Sequence, residues 1–464
     1  MTDYDVIPVV RELSADTLTP LVAFAALSGE NDEAFLFESV ERGENVGRYS
    51  FIGFQPRRNL SIQLTTADPV TLLNGELVPL RVEREDSLPP FFGGAVGYFS
   101  YGTGRWFERI PDSHPNDLGV PEAKLLFFDN VVVFDHVLQR LYVVANVFTK
   151  DDTIADAERR LESALERLRR ANVDPLSFPH DASAATFACN LTRDAFEQMV
   201  REAKEEIVAG EIFQIVVSQR WETEFPTSEA LLLYRALRSI NPSPYMFLLR
   251  TNECTLVGAS PEMLVRVTGD LVETRPIAGT RPRGLTHEED VRLENALLAD
   301  PKENAEHLML VDLGRNDLGR VCRSGSVEVS DFKHVERYSH VMHLVTDVYG
   351  RLREDHTPFD AFLACFPAGT VSGAPKIRAM ELIDRFETVR RGPYAGAVAY
   401  FSFNGNLDSC ITIRTITLAN DHAYVQAGAG IVYDSDPATE YEECENKSAA
   451  LKRAISVAKE VLGR

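Results

Sequence analysis

The sequence predicts an α+β protein built on antiparallel sheets. Short runs rich in β-branched and aromatic residues fill the first 150 residues, including R-Y-S-F-I-G-F, S-I-Q-L-T-T and L-Y-V-V-A-N-V-F. Strands and helices then mix along the second half without a regular βαβ rhythm, and no internal repeat is evident. A doubly wound parallel sheet would show that rhythm, so antiparallel sheets with flanking helices are expected.

Two amphipathic helices border a polar connection near the middle of the chain. Apolar residues recur at helical spacing over 152–171, and Thr192 is expected to cap a second helix that ends at Gly210. The stretch between them, N-V-D-P-L-S-F-P-H-D-A-S-A-A-T, is polar and holds two prolines. We therefore divide the chain into an N-terminal half, 1–185, and a C-terminal half, 190–464.

Composition excludes several classes of function. The 464 residues include 70 acidic and 48 basic side chains, a formal charge of −22, so nucleic acid and anionic membranes are not expected partners. The six cysteines form no Cys-x-x-Cys pair, which argues against structural zinc and a dithiol redox site and suits a reducing cytoplasm. The acidic N-terminus shows no signal-peptide pattern, and the most apolar run is interrupted by Asp129 and Asp135.

Two segments share a helix start followed by spaced glutamates. D-P-K-E-N-A-E-H and D-P-A-T-E-Y-E-E-C-E-N-K both open on Asp-Pro, which is typical of a capped helix. Each carries glutamates three positions apart: Glu303 with Glu306, and Glu442 with Glu445. Such pairs share one helix face, so two facing helices would bring four oxygen ligands together, a set that suits Mg²⁺. Helix capping and the helix dipole explain the same residues without any site, and spacing alone leaves both interpretations open.

Three glycine-rich turns offer backbone N–H groups to an anion. They are R-P-I-A-G-T-R-P-R-G, P-A-G-T-V-S-G-A-P-K and A-G-A-G. None has the spacing of a phosphate-binding P-loop, and the chain contains no G-x-S-x-G motif. Each turn alone is also common without a ligand.

Taken in order, these segments resemble the chorismate-utilising enzymes. The blocks are P-I-A-G-T-R-P-R-G, E-H-L-M-L-V-D-L-G-R-N-D, H-V-M-H-L-V, P-A-G-T-V-S-G-A-P-K, G-P-Y-A-G-A-V-A-Y, C-I-T-I-R-T, Q-A-G-A-G-I-V and E-C-E-N-K. They run from about residue 192 to 460, and F-L-F-E-S-V-E-R-G-E-N-V-G-R-Y-S-F-I-G resembles the start of the anthranilate-forming large subunits. The resemblance implies two antiparallel sheets packed face to face, flanking helices, a deep cleft, chorismate and Mg²⁺.

The resemblance also implies roles for individual residues. Those implied to bind Mg²⁺ are Glu303, Glu306, Glu442 and Glu445. Those implied to hold the substrate are Thr280, Tyr394, Arg414, Lys447 and the backbone of Gly428, Ala429 and Gly430. Glu262 matches the general acid for the departing ring hydroxyl, and Thr370 and His343 match residues around the reacting ring.

Two positions distinguish the members of the family. Relatives that form isochorismate or salicylate carry Lys at the position of Gln214, and aminodeoxychorismate synthases usually carry Lys at that of Ala278. An amide cannot act as the base that activates water, and alanine offers no nucleophile. The resemblance therefore implies that ammonia attacks C2 of chorismate directly and that pyruvate is then lost to give anthranilate.

Several alternatives remain at this point. A synthase that stops at 2-amino-2-deoxyisochorismate shares most of these residues, and an aminodeoxychorismate synthase is a second alternative. A third, of a different class, is a non-catalytic tryptophan-binding subunit, although the complete glutamate set argues against it. No glutaminase domain is recognisable, so we expect a separate glutamine amidotransferase subunit to supply the ammonia.

The N-terminal half is expected to be regulatory. In the anthranilate-forming relatives an L-L-E-S segment and an N-P-S-P-Y-M segment form a tryptophan pocket. Here they read L-F-E-S, ending at Ser39, and Asn241, Pro242, Ser243, Pro244, Tyr245, Met246, with Phe37 as a departure from Leu. The resemblance therefore implies feedback inhibition by L-tryptophan.

Overall fold

The structure is a computed structural model that describes residues 4–39, 47–83, 88–179, 182–337 and 341–463, without the side chain of Thr280. Its first eight strands are β1 (Val6–Ser14), β2 (Ala34–Glu38), β3 (Tyr49–Phe54), β4 (Arg58–Ile62), β5 (Gly94–Phe99), β6 (Ala123–Phe128), β7 (Asn130–Asp135) and β8 (Arg140–Phe148). The others are β9 (Ala188–Cys189), β10 (Gln214–Glu224), β11 (Tyr245–Arg250), β12 (Thr255–Ser260), β13 (Met263–Thr268), β14 (Leu271–Thr274), β15 (Ile277–Pro282), β16 (Glu328–Arg337), β17 (Val341–Arg351), β18 (Gly373–Ala374), β19 (Ala397–Ser402), β20 (Leu407–Ile411), β21 (Thr415–Ala419) and β22 (His422–Ile431).

The helices lie between these strands along the chain. They are α1 (Pro20–Leu27), α2 (Pro69–Glu76), α3 (Ile154–Arg169), α4 (Arg193–Val208), α5 (Ala230–Ile240), α6 (His287–Ala299), α7 (Pro301–Gly319), α8 (Pro358–Cys365), α9 (Lys376–Phe386) and α10 (Pro437–Val461). Short 3₁₀ turns cover Tyr101–Trp106, Thr227–Glu229 and Gly369–Val371. Among the described helices, none combines the length and apolar character needed to cross a membrane.

The strands form two antiparallel sheets. The larger sheet has the order β1-β8-β7-β3-β2-β11-β12-β21-β22-β10-β18, with β9 beside β10. The smaller sheet has the order β15-β17-β14-β13-β20-β19-β5-β6-β4, with β16 beside β17. The predicted α+β class with two antiparallel sheets is therefore confirmed.

Aromatic residues fill the layer between the two sheets. Phe35 of β2 lies 5.0 Å, centroid to centroid, from Phe128 of β6, and Phe51 of β3 lies 5.7 Å from Tyr400 of β19. Because side chains alternate along a strand, Leu36 points the opposite way and is buried in the core cluster that includes the flanking helices. Each sheet is thus apolar on both faces, and burial of each such side chain stabilises the fold by about 1.5–3 kcal/mol.

Both halves of the chain contribute to both sheets. β2 pairs with β11 in the larger sheet, and β5 pairs with β19 in the smaller one. The two sequence ranges therefore share their sheets. Their division at residues 185–190 into a regulatory and a catalytic half stays a prediction.

Two capped helices reach the same end of the sheets. Asp300 accepts from the Glu303 N–H at the start of α7, and Asp436 accepts from the Thr439 N–H at the start of α10. A proline follows each cap, as the sequence predicts. α7 packs on β15 and β17 of the smaller sheet and α10 packs on β22 of the larger sheet, so residues from the first turns of both helices line one cavity.

Candidate active site

A cavity of about 740 Å³ lies between the two sheets, beneath the first turns of α7 and α10. The candidate site residues that line it are Gln214, Glu262, Glu303, Glu306, His343, Thr370, Tyr394, Arg414, Gly428, Gly430, Glu442 and Lys447. Ala278, used to distinguish family members, also lines it. Thr280 belongs to β15, but its side chain lies outside the described residues. Segments more than 200 residues apart in the sequence thus converge on one cavity.

One wall of the cavity is acidic. Glu303 and Glu306 project from α7, and Gln214 at the start of β10 donates an amide hydrogen bond of 3.2 Å to Glu306. Burial raises the pKa of Glu306, and repulsion from Glu303 and Glu443 adds to that rise while the Gln214 hydrogen bond opposes it. Arg281 offsets part of the charge through a 3.2 Å bond to Glu303.

The carboxylates that α10 presents to this wall are not the predicted pair. Glu445 does not line the cavity. It accepts from Lys452 at 2.7 Å and from Tyr441 at 3.3 Å, so its predicted placement is wrong. Glu442 lies at the rim, with 56% of its side chain exposed, and pairs with Arg193 at 2.9 Å.

Glu440 and Glu443 take the inward positions on α10. Both line the cavity, although we assigned neither of them to the site from sequence. Burial raises the pKa of Glu440, and repulsion from Glu443 contributes to that rise. Glu440, Glu443 and Lys447 share one face of α10, so the lysine turns inward together with the two glutamates. The error has a simple cause: spacing identifies pairs on one face, but not which face turns inward.

Two cations also line the cavity. Lys447 donates to the Gly428 carbonyl at 2.9 Å and lies 2.6 Å from Glu443. Arg414 lines the cavity, and its guanidinium makes neither a hydrogen bond nor an ion pair with the described residues. Desolvation by the surrounding protein lowers its pKa. A buried guanidinium without a carboxylate partner favours an anionic ligand.

The backbone around these cations is shaped for close approach. Arg414 has a φ of 49°, a left-handed conformation that few residues other than glycine adopt. A Cβ atom at Gly428 would lie 2.7 Å from the Val217 carbonyl and 3.0 Å from the Tyr394 hydroxyl, so no side chain fits. Gly430 also faces the cavity, whereas Ala429 between them points into the core, with no exposed surface.

Part of β22 has a free edge beside these glycines. Its pairing with β21 ends at Val425, whereas its pairing with β10 continues to Ile431. Alternate backbone groups of the glycine segment are therefore not used by β21. These unused backbone groups support the predicted role of the segment in holding a carboxylate of the substrate. That role stays a prediction for Gly428, Ala429 and Gly430.

Glu262 has the properties of an acid at neutral pH. Burial raises its pKa to about 7, and Lys447 and a hydrogen bond from Thr370 oppose that rise. The Thr370 hydroxyl donates to Glu262 Oε1 at 2.8 Å and fixes its orientation. A carboxyl group with this pKa is half protonated near pH 7, which suits proton donation.

His343 is held in one tautomer. Its Nδ1 lies 2.9 Å from the Gly279 carbonyl oxygen, and since a carbonyl only accepts, Nδ1 carries the proton. The lone pair is then on Nε2. Burial lowers the pKa of the ring and the Arg414 charge adds to this, while the hydrogen bond to Gly279 opposes it, so the neutral form of His343 is favoured at pH 7.

The oxygen ligands of the acidic residues suit a hard divalent cation, although among the described residues no three of these ligand atoms lie within 4.8 Å of one another. Glu303, Glu306, Glu440 and Glu443 offer only oxygen atoms, and the pKa values of Glu306 and Glu440 are raised by burial and mutual repulsion. A cation among them would relieve that repulsion. Oxygen ligands with room for water and substrate are what Mg²⁺ requires.

Further lining residues were missed from sequence. Lys302, Gln426 and Asn446 also line the cavity, and Lys302 lowers the pKa values of Glu306 and Glu440. Lys302 and Asn446 lie in the two helix-start segments that were selected for their acidic residues. Gln426 lies next to the A-G-A-G turn. Because side chains alternate along a strand, Gln426, Gly428 and Gly430 face the same side of β22, and this spacing could have placed Gln426 at the site.

Some, but not all, of the residues predicted to bind tryptophan line a second, smaller cavity. It has a volume of about 110 Å³ and lies between β2, β3, β11 and β19, with Ser39, Tyr245 and Met246 among its lining. Asn241, Pro242 and Ser243 do not line it, and Asn241 instead caps the end of α5. Arg48 and Tyr400, which the sequence did not single out, do line it.

Comparison with known proteins agrees with this geometry. Residues 32–453 match the chorismate binding enzyme family. The chain is 48% identical to anthranilate synthase component 1 of Acetivibrio thermocellus, over 99% of this chain and 97% of that protein. It is 46% identical to anthranilate synthase component 1 of Thermus thermophilus, over 97% of this chain and 98% of that protein.

Solved structures show the same fold. The crystal structure of anthranilate synthase component I from Streptococcus pneumoniae gives a TM-score of 0.79 at 37% identity, covering 95% of this chain and 99% of that one. The menaquinone-specific isochorismate synthase of Escherichia coli gives a TM-score of 0.74 at 19% identity, covering 98% of this chain and 96% of that one. At this identity the likeness shows a common fold and nothing more. By sequence match, fold and the convergence of its site residues, the chain belongs to the chorismate binding enzyme family.

Proposed function

We propose that the chain is the aminating subunit of an anthranilate synthase, which converts chorismate and ammonia to anthranilate and pyruvate. Relatives that are 43–48% identical over nearly the whole chain are named anthranilate synthase component 1. The single observation that carries the proposal is one cavity lined by several glutamates together with Arg414 and Lys447. Such a cavity suits a dianion that is bound together with a cation.

Arg414 and Lys447 would neutralise the two carboxylates of chorismate. Each unit-charge contact near 4 Å contributes on the order of 4 kcal/mol at an effective dielectric of ~20. Arg414 has no carboxylate partner among the described residues, so its full charge is available to the substrate. Gly428 and Gly430 leave space for a carboxylate against the backbone, where a side chain would collide.

Glu303, Glu306, Glu440 and Glu443 would hold Mg²⁺, and this set replaces the pair predicted on α10. When bound, Mg²⁺ would polarise the ring carboxylate and withdraw electron density from the ring. The four glutamates repel a dianion on their own, so they would also make substrate binding depend on the cation. Mg²⁺ dependence is a proposal that rests on this donor set.

Glu262 would act as the general acid. As ammonia forms a bond to C2 of chorismate, the C4 hydroxyl leaves as water after taking the Glu262 proton. Thr370 orients the acid, and the pKa of about 7 keeps it partly protonated in neutral solution. The product of this step is 2-amino-2-deoxyisochorismate.

His343 would act as the base in the second step. Its Nε2 accepts the proton on C2, the C3–O bond breaks, and the enolpyruvyl group leaves as pyruvate while the ring becomes aromatic. The hydrogen bond from Nδ1 to Gly279 fixes the tautomer needed for this transfer. A neutral ring is ready to accept, since the pKa of His343 is lowered.

The residues beside C2 favour ammonia over competing nucleophiles. Gln214 has no basic group with which to activate water, and its amide bonds to Glu306 at 3.2 Å. Ala278 has no nucleophilic group for covalent attack on the ring. These two side chains support anthranilate formation over isochorismate or aminodeoxychorismate formation.

Product analysis tests the proposal. The full chain is incubated with chorismate, ammonium and Mg²⁺, and we expect a blue-fluorescent aromatic amine and pyruvate in equal amounts. A non-aromatic amine without pyruvate would instead identify a 2-amino-2-deoxyisochorismate synthase. Absence of any chorismate turnover would favour a non-catalytic binding subunit.

A glutamine amidotransferase subunit is the proposed source of ammonia, because the family resemblance implies one. With glutamine as the only nitrogen source, the chain alone should form no anthranilate, and addition of the partner should restore synthesis. Turnover of glutamine by the purified chain alone would contradict this.

The six free thiols suit the reducing cytoplasm, which is the proposed location.

L-tryptophan is the proposed feedback inhibitor, bound in the cavity of about 110 Å³ near Ser39. Phe37, Tyr49 and Tyr400 supply aromatic walls, while Arg48 and Asp408 supply charges of both signs for a zwitterion. This cavity lies in the layer between the sheets, whose strands also reach the catalytic cavity.

A further inference from the structure

A buried ion pair beside the catalytic cavity contacts the cavity lining without being part of it. Arg391 lies between α9 and β19, and it pairs with Glu387, which caps the end of α9. The two side chains are only 2% and 3% exposed. Neither of these two described residues lines the catalytic cavity. Any influence of the pair on the site therefore passes through its neighbours.

The Arg391 guanidinium joins the pair to two segments of the cavity lining. It donates from Nε and Nη2 to the two carboxylate oxygens of Glu387, at 2.9 and 2.6 Å. Nη1 donates to the Val371 carbonyl and Nη2 to the Val216 carbonyl, both at 2.7 Å. Val371 lies on the 3₁₀ turn Gly369–Val371 and Val216 lies on β10, and both line the cavity. One planar group thus fixes the distance between the turn and the strand.

Glu387 extends the same connection to β22. Its Oε1 accepts from the Ser218 backbone N–H at 2.8 Å and from the Ser218 hydroxyl at 2.7 Å. That hydroxyl accepts from the Gln426 amide at 2.8 Å, and Gln426 lines the cavity. The Glu387 charge is therefore held by Arg391 on one side and by Ser218 on the other, which is the hydrogen bonding that a buried ion pair requires.

The turn that Arg391 contacts carries Thr370, which orients the proposed general acid. The Thr370 hydroxyl donates to Glu262 Oε1 at 2.8 Å. The turn's own hydrogen bond, from the Val371 N–H to the Ala368 carbonyl, is long at 3.3 Å. The bond from Arg391 to the Val371 carbonyl is shorter and charge-assisted, and such bonds are roughly twice as strong as neutral ones. Arg391 therefore anchors the turn more firmly than that internal bond does.

We infer that Arg391 is a positioning residue of the synthase, which fixes the turn Gly369–Val371 so that the Thr370 hydroxyl stays on Glu262. The inference rests on the proposed function, because it concerns the step in which Glu262 gives its proton to the departing hydroxyl. Lysine cannot take this role, since one ammonium group cannot bind a carboxylate through two parallel bonds and also reach two carbonyls. Arg391 acts on the acid only through Thr370.

The kinetics of Arg391→Lys test this role. At saturating Mg²⁺ and ammonium, kcat should fall about 10- to 100-fold, because a displaced turn misplaces the acid. KM for chorismate should stay within about twofold of the wild-type value, since Arg414 and Lys447 still hold the substrate.

The pH dependence of kcat gives a second readout. The hydrogen bond from Thr370 lowers the pKa of Glu262, so its loss in Arg391→Lys should raise that pKa. The fall of kcat with rising pH should therefore begin at a higher pH than in wild type. Lys447, the charged group that also lowers the pKa of Glu262, is unchanged in the variant.

A double-mutant cycle distinguishes this route from a general loss of stability. Thr370→Val removes the hydroxyl directly, so adding Arg391→Lys to it should lower kcat further by less than about twofold. Arg105→Lys is the matched control, because Arg105 forms a mostly buried pair with Asp384 of α9 at 2.9 Å. It should leave kcat and its pH dependence unchanged. Losses that multiply in the double variant, or an unshifted pH dependence in Arg391→Lys, overturn the inference.

Hydrogen exchange tests the contact without relying on activity. Peptides that contain residues 369–372 should exchange their amide hydrogens faster in Arg391→Lys than in wild type, and at the wild-type rate in Arg105→Lys. Thermal melting checks that each variant is folded. Where Arg391→Lys does not fold, Arg391→Met combined with Glu387→Gln carries the test, because it removes both charges of the pair together.

The outcomes separate this inference from the proposed function. Unchanged exchange of residues 369–372 in the folded variants overturns the role of Arg391. A wild type that forms no anthranilate is instead a failure of the proposed function, and the exchange result still decides whether Arg391 holds the turn.

Discussion

Replacing Glu443 with Gln removes a carboxylate from the cavity lining near Glu306, whereas replacing Glu445 with Gln removes the same group from another face of α10. The two substitutions are chemically identical and lie two residues apart. Glu443 lines the catalytic cavity and raises the pKa of Glu306, while Glu445 is held outside the cavity by Lys452. The pair therefore separates a metal-binding role from a general effect on the helix.

The expected magnitudes differ widely. A unit charge about 4 Å from a cation contributes on the order of 4 kcal/mol at an effective dielectric of ~20, which corresponds to about three orders of magnitude in affinity. Glu445 and Lys452 form a 2.7 Å pair with 33% and 19% of their side chains exposed. Pairs this accessible contribute about 0–1 kcal/mol, so Glu445→Gln should change activity by less than about fivefold.

The assay is the initial rate of anthranilate fluorescence as a function of Mg²⁺ concentration at saturating chorismate and ammonium. Glu443→Gln should raise the half-saturating Mg²⁺ concentration by about two to three orders of magnitude, and Glu445→Gln should leave it near the wild-type value. The reasoning is refuted if Glu445→Gln loses activity as Glu443→Gln does, or if Glu443→Gln keeps the wild-type Mg²⁺ dependence.

Three further predictions follow from the site. Glu262 is the proposed general acid, and burial raises its pKa to about 7, so the protonated form is lost as pH rises through 7. We expect kcat to fall above that pH, and Glu262→Gln to be at least about 100-fold slower and to lose this pH dependence. A wild-type rate that stays flat from pH 6 to 9 contradicts this acid. His343→Gln should release pyruvate at least about 100-fold more slowly while chorismate is still consumed. Mass spectrometry should then detect the accumulating non-aromatic amine. Unchanged pyruvate release would exclude His343 as the base. L-tryptophan should lower the initial rate of the wild type but not of Ser39→Phe, since the larger side chain fills a cavity of only about 110 Å³; an uninhibited wild type contradicts the regulatory role.

Much of the fold was predictable because its signals are local. Asp-Pro caps predicted the starts of α7 and α10, and Thr192 predicted the start of α4. Each of these depends only on hydrogen bonds within one helical turn. The family resemblance implied two antiparallel sheets but not that both halves of the chain share them, because pairing between segments as distant as β2 and β11 leaves no local signal.

The site was predictable in its chemistry and less so in its geometry. Arg414, Lys447, Glu262 and His343 all line the cavity expected from ordered blocks of sequence. The error on α10 arose because its first turns carry glutamates on adjacent faces, and only packing against β22 decides which face is inward.

Diffraction from crystals that contain Mn²⁺ in place of Mg²⁺, with an unreactive dicarboxylate analogue of chorismate, tests the central claim most directly. We expect the anomalous peak between Glu306 and Glu443, with one carboxylate of the analogue beside the cation and the other at Arg414 or Lys447. A peak instead at Asp331, His334 and Asp347, whose ligand atoms lie within 4.8 Å of one another, or an analogue bound outside the cavity, would contradict the account.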